Sequence, residues 1–436
     1  MRSALVLCLF VALAAPAFAA DCQKPAAEKH LEAGKALVQK QKLPQAIAEF
    51  RAAIEADPAC TEAHTQFILY TESSYLNASH FWQAANFEER RKRMDPAEAA
   101  ARAHLRKVYA AWAKQYPKYE AVFDWAQGKL YPTQPAIARG YYQKALALDP
   151  RFGAAADALG SIAQAQGNDL LSRQYYSQAV RDDPKNGDYF FDYLMTFRNG
   201  DVAKYRELTE EFVRRFPTAG RAPQALNYLA TVLDSDADKI QVLEQLRSMD
   251  RSQKLGGFGM DELFDAYART DPAKAVALAE NLTRNTAYPS FRPTYQSWLK
   301  YAQALAEIQS LVHGAKYADA IALARKTSVP QDRDSAPLIV LRAQAKYGGG
   351  QAAAAYDELV HAEAARPNPR VEAELRLCAA GLKKSTAETL DDVWRARDAA
   401  AKIVPDFQLT DYQTGKPVKL SAYRGKVVLL DFFFPT

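Results

Sequence analysis

Cysteine and histidine are the residue types in this chain that could bind a metal, form a disulfide or carry redox chemistry. The 436 residues contain four cysteines (Cys8, Cys22, Cys60 and Cys378) and six histidines. No two histidines have the spacing of a metal-ligand pair, and no H-E-x-x-H motif occurs. No serine lies in a nucleophile elbow, and no glycine-rich loop follows a strand. We therefore predict no metal site, no cofactor and no catalytic residue in this sequence.

Composition and charge narrow the class of protein. Lysine and arginine number 56 against 51 aspartates and glutamates, so the net charge is only +5. A dedicated nucleic-acid surface would show a concentrated basic field, which argues against nucleic acid as a partner. The alanine-rich composition is typical of a helical protein, and the length suggests about two or three domains.

The first residues have the pattern of a signal peptide. Arg2 supplies the positive charge, and residues 4–15 form an apolar segment that is too short to span a membrane. Ala17 and Ala19 fit the small-residue cleavage rule. We expect residues 1–19 to be removed near Ala19 and the protein to be exported, periplasmic or secreted, with no stable membrane insertion. Such compartments permit disulfides. A membrane anchor is the alternative.

Prolines recur at a nearly constant interval through the chain. Pro117, Pro150, Pro184 and Pro217 are 33 or 34 positions apart. Before Pro58, Pro150, Pro184 and Pro367, small, aromatic or leucine side chains occur 12, 8 and 5 positions earlier. These are Ala46, Phe50 and Ala53; Ala138, Tyr142 and Ala145; Ser172, Tyr176 and Ala179; and Ala355, Leu359 and Ala362. A small residue also lies 24 positions before each of these prolines: Gly34, Ala126, Gly160 and Ala343.

This spacing predicts stacked helix hairpins. Two antiparallel helices approach closely only where side chains are small, an aromatic ring then fills the gap, and proline ends the second helix. The segment 61–118 is longer than one repeat. Within it, Asp95-Pro96 predicts the N-terminus of a helix.

The pattern resembles the tetratricopeptide repeat (TPR), most clearly at residues 27–60, 119–152, 153–186 and 336–369. The resemblance implies an α-helical solenoid over residues 20–400 that binds protein or peptide ligands along the concave face of its first helices. Carried over by position, this possible peptide groove would include Lys35, Gln39, Gln127, Tyr131, Asp157, Ser161 and Gln164. The lysine and asparagine clamp of chaperone-binding TPR proteins is not visible.

A helix hairpin would also bring two thiols together. Cys22 lies just before the first helix of the first repeat, and Cys60 lies just after its second helix. We predict a structural disulfide between them that contributes about 3–4 kcal/mol to stability. Two unpaired cysteines are the alternative. Cys378 lies in an apolar helical stretch and is expected to be a buried, unreactive thiol.

The hydrophobic period changes near residue 403. Apolar residues alternate in 407–409 and 418–420 around a Gly415-Lys416 turn, which predicts a β-hairpin. Residues 427–434 are almost continuously apolar, as in a central strand covered on both faces.

Residues 404–436 resemble the beginning of a periplasmic thioredoxin-like domain of the TlpA/ResA type. The resemblance rests on Pro405-Asp406-Phe407, on Gly415-Lys416 and on the run Arg424-Gly425-Lys426-Val427-Val428-Leu429-Leu430-Asp431-Phe432. In that family a Cys-x-x-Cys motif follows within a few residues. The sequence ends before it, so we expect a truncated domain without redox cysteines. The residues 433–436 also resemble the strand before a peroxidatic cysteine.

The sequence therefore predicts a mainly α protein: a TPR-like solenoid with a fragment of a thioredoxin-like α/β domain. The leading hypothesis is an exported scaffold that binds or positions protein partners for a thiol–disulfide oxidoreductase, with residues 1–436 themselves inactive. The alternatives are a stand-alone periplasmic TPR binding module and a redoxin of the peroxiredoxin (AhpC/TSA) type.

Overall fold

The computed structural model describes residues 22–249, 257–411 and 415–430. The predicted signal peptide and Cys8 lie outside these residues. The chain divides into two compact units, residues 1–263 and 264–436, and each is described by itself. Within the described residues, no helix is both long enough and apolar enough to cross a membrane.

The described part of the first unit is helical. Its helices are α1 (Pro25–Gln39), α2 (Leu43–Ala56), α3 (Thr61–Ala78), α4 (Phe87–Gln115), α5 (Glu120–Gly128), α6 (Pro135–Leu148), α7 (Gly153–Ala165), α8 (Asp169–Asp182), α9 (Gly187–Met195), α10 (Val202–Arg215), α11 (Ala222–Val232) and α12 (Asp236–Met249). Helix α13 (Met260–Thr270) begins in this unit and ends in the next. Consecutive helices pack as hairpins, and each hairpin packs on the following one.

Small residues set the distance between the helices of a hairpin, as the repeat pattern predicts. A Cβ added at Gly34 would lie 2.4 Å from Cε1 of Phe50, and one added at Gly160 would lie 2.7 Å from Cδ1 of Tyr176. Of the twelve small, aromatic and leucine positions in the four clear copies, eleven are buried, and Ala362 is partly buried. The periodic positions therefore form the contact between the two helices of each pair.

The prediction of a helix N-terminus at Asp95-Pro96 is wrong. Helix α4 starts earlier, at Phe87, where the side chain of Asn86 accepts a hydrogen bond from the backbone N–H of Glu89 (2.9 Å). Pro96 lies inside the helix. Pairs of opposite charge four positions apart support the preceding turns, including Glu88 with Lys92 at 2.8 Å. At a few tenths of a kcal/mol each, such pairs offset only part of the cost of a proline inside a helix, which is about 3 kcal/mol.

A neutral histidine lies in the core of the first hairpins. His64 is fully buried, with Nε2 3.0 Å from the carbonyl oxygen of Pro58 and Nδ1 3.1 Å from the hydroxyl of Tyr109. Burial lowers the pKa of His64 to about 4, although the hydrogen bond to Pro58 and the charge of Asp57 oppose the shift.

The second unit continues with helix pairs. Its further helices are α14 (Pro272–Asn285), α15 (Arg292–His313), α16 (Tyr317–Lys326), α17 (Ala336–Gly348), α18 (Ala352–Ala365), α19 (Pro369–Gly381) and α20 (Thr386–Ala400). The predicted repeat 336–369 corresponds to α17 and α18. Cys378 is buried in α19 as expected, and burial raises its pKa to about 11, which makes the thiol unreactive.

The C-terminal hairpin is present but short. Strands β1 (Gln408–Thr410) and β2 (Pro417–Lys419) pair antiparallel, with Leu409 opposite Val418. Asp406 accepts hydrogen bonds from the backbone N–H and the hydroxyl of Ser421, at 2.8 and 2.9 Å.

The prediction of a central strand is not met in the described part of the run, residues 427–430. These residues form no strand, and Val427 and Leu429 are almost fully exposed. A strand needs a neighbouring strand to accept its backbone hydrogen bonds, and the described residues supply none here. The described residues after α20 therefore form one short hairpin, which does not confirm the expected thioredoxin-like fragment; residues 431–436 lie outside the described part.

Candidate functional site

A groove of about 1050 Å³ lies in the first unit. The first helices of four successive hairpins, α3, α5, α7 and α9, contribute to its wall together with α6 and the loops that follow α5 and α8. Its polar and aromatic lining residues include Thr61, Glu62, Gln66, Trp125, Lys129, Tyr131, Tyr142, Asp157, Ser161, Asp183, Lys185, Asp188, Tyr189, Asp192 and Arg221. Because first helices stack side by side, the groove runs across several repeats.

Aromatic side chains form much of the wall near α5. Gly128, the last residue of α5, allows the close approach of the Tyr142 ring, since a Cβ there would lie 2.3 Å from its Cε1. The ammonium group of Lys129 lies 4.8 Å from the centre of the Trp125 ring, a cation–π contact. Burial lowers the pKa of Lys129, and the nearby charge of Asp157 partly opposes this.

Asp157, in the middle of α7, is a groove residue with one carboxylate oxygen that lacks a hydrogen bond. Its Oδ1 is buried and accepts no hydrogen bond from any residue that the structure describes. Burial, and then the negative charge of Asp192, raise the pKa of Asp157 to about 7, while Lys129 acts in the opposite direction. A buried carboxylate oxygen without a donor is costly, so this position is poised to accept a proton or a cationic group.

The other end of the groove holds an ion-pair cluster. The Nε of Arg221 lies 3.1 Å from Oδ1 of Asp188, and its Nη1 donates to Oδ1 of Asp192 at 3.0 Å. The guanidinium carbon lies 4.8 Å from the centre of the Phe191 ring. Burial raises the pKa of Asp192, and Arg221 limits this rise. The groove thus already holds one guanidinium between two carboxylates and an aromatic ring.

The lining of the groove offers both apolar contacts and hydrogen-bonding groups. No group of three or more histidine, cysteine, aspartate or glutamate side chains is placed to hold a metal ion in the part of the chain that the structure describes. The groove combines aromatic surfaces, which pack on apolar or cationic side chains, with carboxylates, which receive donors.

Three of the seven residues expected from the TPR resemblance line this groove: Tyr131, Asp157 and Ser161. The other four are not among the residues that line it: Lys35, Gln39, Gln127 and Gln164. Lys35 instead pairs with Glu62 of the groove wall, with 2.6 Å between Nζ and Oε1. Gln164 accepts a hydrogen bond from the hydroxyl of Tyr176 at 3.2 Å, and Gln39 is exposed near the end of α1.

Sequence reasoning missed the acidic end of the groove. Asp188 and Asp192 are four positions apart on α9, the first helix of a hairpin, so they share one helix face. That spacing is visible in the sequence. The chain after residue 186 departs from the repeat pattern, however, so the pattern did not show that these two residues lie on the first helix of a hairpin. Arg221 lies at the N-cap of α11, and nothing in the sequence links it to α9.

The predicted cysteine pair lies at the N-terminal end of the first unit. The structure joins Cys22 and Cys60 in a disulfide, with their Cα atoms 4.4 Å apart. Beside it the buried Asp57 accepts a hydrogen bond from the backbone N–H of Gln23 at 2.8 Å. The segment before α1 is thus held to the end of α2.

Comparison with known proteins gives similarity in overall helical structure only. No family model matches the chain, and no curated protein matches it. Among solved structures, it is similar to a TPR protein from Parabacteroides merdae, with 13% identity over 81% of this chain and 99% of that chain, TM-score 0.28. It is also similar to the Pseudomonas aeruginosa pilF structure, with 16% identity over 52% and 92%, TM-score 0.31. The third is the TPR domain of P58(IPK), with 13% identity over 82% and 98%, TM-score 0.24. Because these similarities are weak, the description of the fold rests on the helices of the chain itself. It is a mainly helical protein whose helix hairpins resemble tetratricopeptide repeats.

Proposed function

We propose that this protein is a scaffold that binds an extended segment of a partner protein in the groove of its first unit. The observation that carries the proposal is the groove itself, which crosses four first helices and combines aromatic walls with the carboxylate of Asp157, whose Oδ1 receives no hydrogen bond from the described residues. Its volume of about 1050 Å³ is at the upper end of small-ligand pockets, which suits several side chains of a peptide. The repeat resemblance supports the same kind of ligand.

Selection from a phage-displayed random heptapeptide library tests this proposal. Ser161 is an exposed residue of the groove, so Ser161→Trp should block the groove and abolish binding of the selected peptides. Gln39→Trp places the same ring on an exposed first-helix position outside the groove lining and should leave binding unchanged. Circular dichroism of both variants checks folding. Failure to select peptides, or equal effects of the two substitutions, would contradict the proposal.

We further propose that residues 404–436 belong to a thioredoxin-like domain that the scaffold serves, with a peroxiredoxin-type domain as the second candidate. The antiparallel hairpin and the Asp406 to Ser421 hydrogen bonds support a β domain at this place. The codons after Thr436 are the test. A Cys-x-x-Cys within a few residues supports the reductase, and a single later cysteine after a threonine supports the peroxidase. The absence of both patterns would contradict both candidates. A protein of residues 1–436 alone should not reduce insulin.

Export is part of the same proposal and is carried by the signal-peptide pattern alone. Expression in a Gram-negative host, fractionation and N-terminal sequencing test it. We expect a periplasmic or secreted protein that begins at Ala20, and an intact Met1 in the cytoplasm would contradict export.

A further inference from the structure

The charges that line the groove are mostly negative, and nearly all have partners. Five carboxylates line it against three cationic side chains: Glu62, Asp157, Asp183, Asp188 and Asp192 against Lys129, Lys185 and Arg221. Glu62 pairs with Lys35, and the two aspartates of α9 share Arg221. Asp183 accepts a hydrogen bond from the backbone N–H of Lys185 at 3.2 Å. Asp157 is the carboxylate left over.

The groups that surround Asp157 do not satisfy it. Two cationic groups influence it, Lys129 and Arg221, but the first is stacked on Trp125 and the second is held by α9. The negative charges that face it are Asp188 and Asp192. Two tyrosines near it, Tyr142 and Tyr176, have raised pKa values and stay neutral. None of these groups donates to the buried Oδ1, and Asp157 as a whole is partly exposed in the groove, where a ligand can reach the carboxylate.

We propose that Asp157 is the specificity-determining residue of the groove and receives the lysine or arginine side chain of a bound peptide. The aromatic walls at Trp125, Tyr142 and Tyr189 would pack on the aliphatic stem of that side chain. Arg221 is held in the same way, by carboxylates and by the ring of Phe191. The inference rests on the proposed function, since it names the residue type that a peptide-binding groove selects.

The selection experiment separates this inference from the proposed function. Peptides selected on the unsubstituted protein should carry lysine or arginine at one fixed position. Selection on Asp157→Asn should lose that preference and keep the apolar positions. Asp149→Asn, which removes an exposed carboxylate outside the groove lining, should select the same peptides as the unsubstituted protein.

The outcomes are distinguishable. No selected peptides would overturn the proposed function, and this inference with it. Selected peptides without a fixed basic position, or with one that Asp157→Asn does not alter, would overturn this inference alone. Strong competition by spermidine alone, with no basic preference among peptides, would assign the site to small polyamines and likewise overturn it.

A second measurement changes the peptide, so that its first comparison needs only the unsubstituted protein. A selected peptide is synthesised with arginine and with citrulline, its neutral near-isostere, and both affinities are measured by calorimetry. We expect citrulline to weaken binding to the unsubstituted protein about tenfold or more, because a hydrogen bond to a charged group is lost. The same exchange should have little effect on binding to Asp157→Asn. An equal loss in both proteins would contradict a contact with Asp157.

Discussion

Replacing Asp157 by asparagine should change how the stability of the first unit depends on pH. Its pKa is raised from the ordinary carboxyl value of 3.8 to about 7 in the folded protein. Between these values the folded state holds a proton that the unfolded state has lost, so the free energy of unfolding falls as pH rises through this window. Asparagine does not titrate and removes this dependence.

The size of the effect follows from the shift. About three pKa units at about 1.4 kcal/mol each give an upper limit near 4 kcal/mol at high pH. Between pH 5 and pH 8, the difference in unfolding free energy between Asp157→Asn and the unsubstituted protein should change by about 2–3 kcal/mol in favour of the variant. The unpaired amide adds a constant cost at every pH, so the slope is informative and the value at one pH is not.

Urea unfolding followed by circular dichroism at pH 5, 6, 7 and 8 measures this slope. Asp149→Asn is the matched control, because it removes one exposed carboxylate of the same type. A constant difference in unfolding free energy between Asp157→Asn and the unsubstituted protein across this range would refute the reasoning. Asp157 would then be ionised in the folded state at all four pH values.

Three further predictions concern the first unit. Reducing the disulfide between Cys22 and Cys60 should lower the free energy of unfolding by about 3–4 kcal/mol, and alkylation of both thiols without reductant would contradict the pairing. Gly160→Ala should lower the free energy of unfolding by about 1–3 kcal/mol, because the added methyl group overpacks against the ring of Tyr176. The control Gly140→Ala adds its methyl group to open space and should raise the free energy of unfolding by about 0.5–1 kcal/mol. Equal shifts of the melting temperature would contradict this. His64 should stay neutral in an NMR titration down to about pH 4, so that stability falls as pH drops from 6.5 towards 4; a midpoint near 6.5 would contradict its burial.

The helix pairs of the fold were predictable because close packing restricts residue type. A helix hairpin accepts only small residues where the backbones approach, so positions such as Gly34 and Gly160 keep a fixed spacing. The repeat pattern was less informative in the copy at residues 119–152. There Ala126 is at the expected position, but Gly128 makes the close approach to Tyr142.

Features that depend on distant residues were not predictable. Pro96 lies inside α4, and the proline by itself did not show that the helix continues through it. The strand expected at 427–434 needs a partner strand, and no described residue supplies one to residues 427–430. The groove joins Arg221 to α9 across 29 positions, and no local pattern encodes that contact.

A crystal structure of the protein with a selected arginine peptide tests the central claim most directly. We expect the peptide to lie in the groove along α5, α7 and α9, with its guanidinium within about 3.5 Å of the Asp157 carboxylate. A peptide bound outside the groove would contradict the proposed scaffold function. A peptide in the groove with an apolar residue against Asp157 would contradict the assignment of this carboxylate as the specificity determinant.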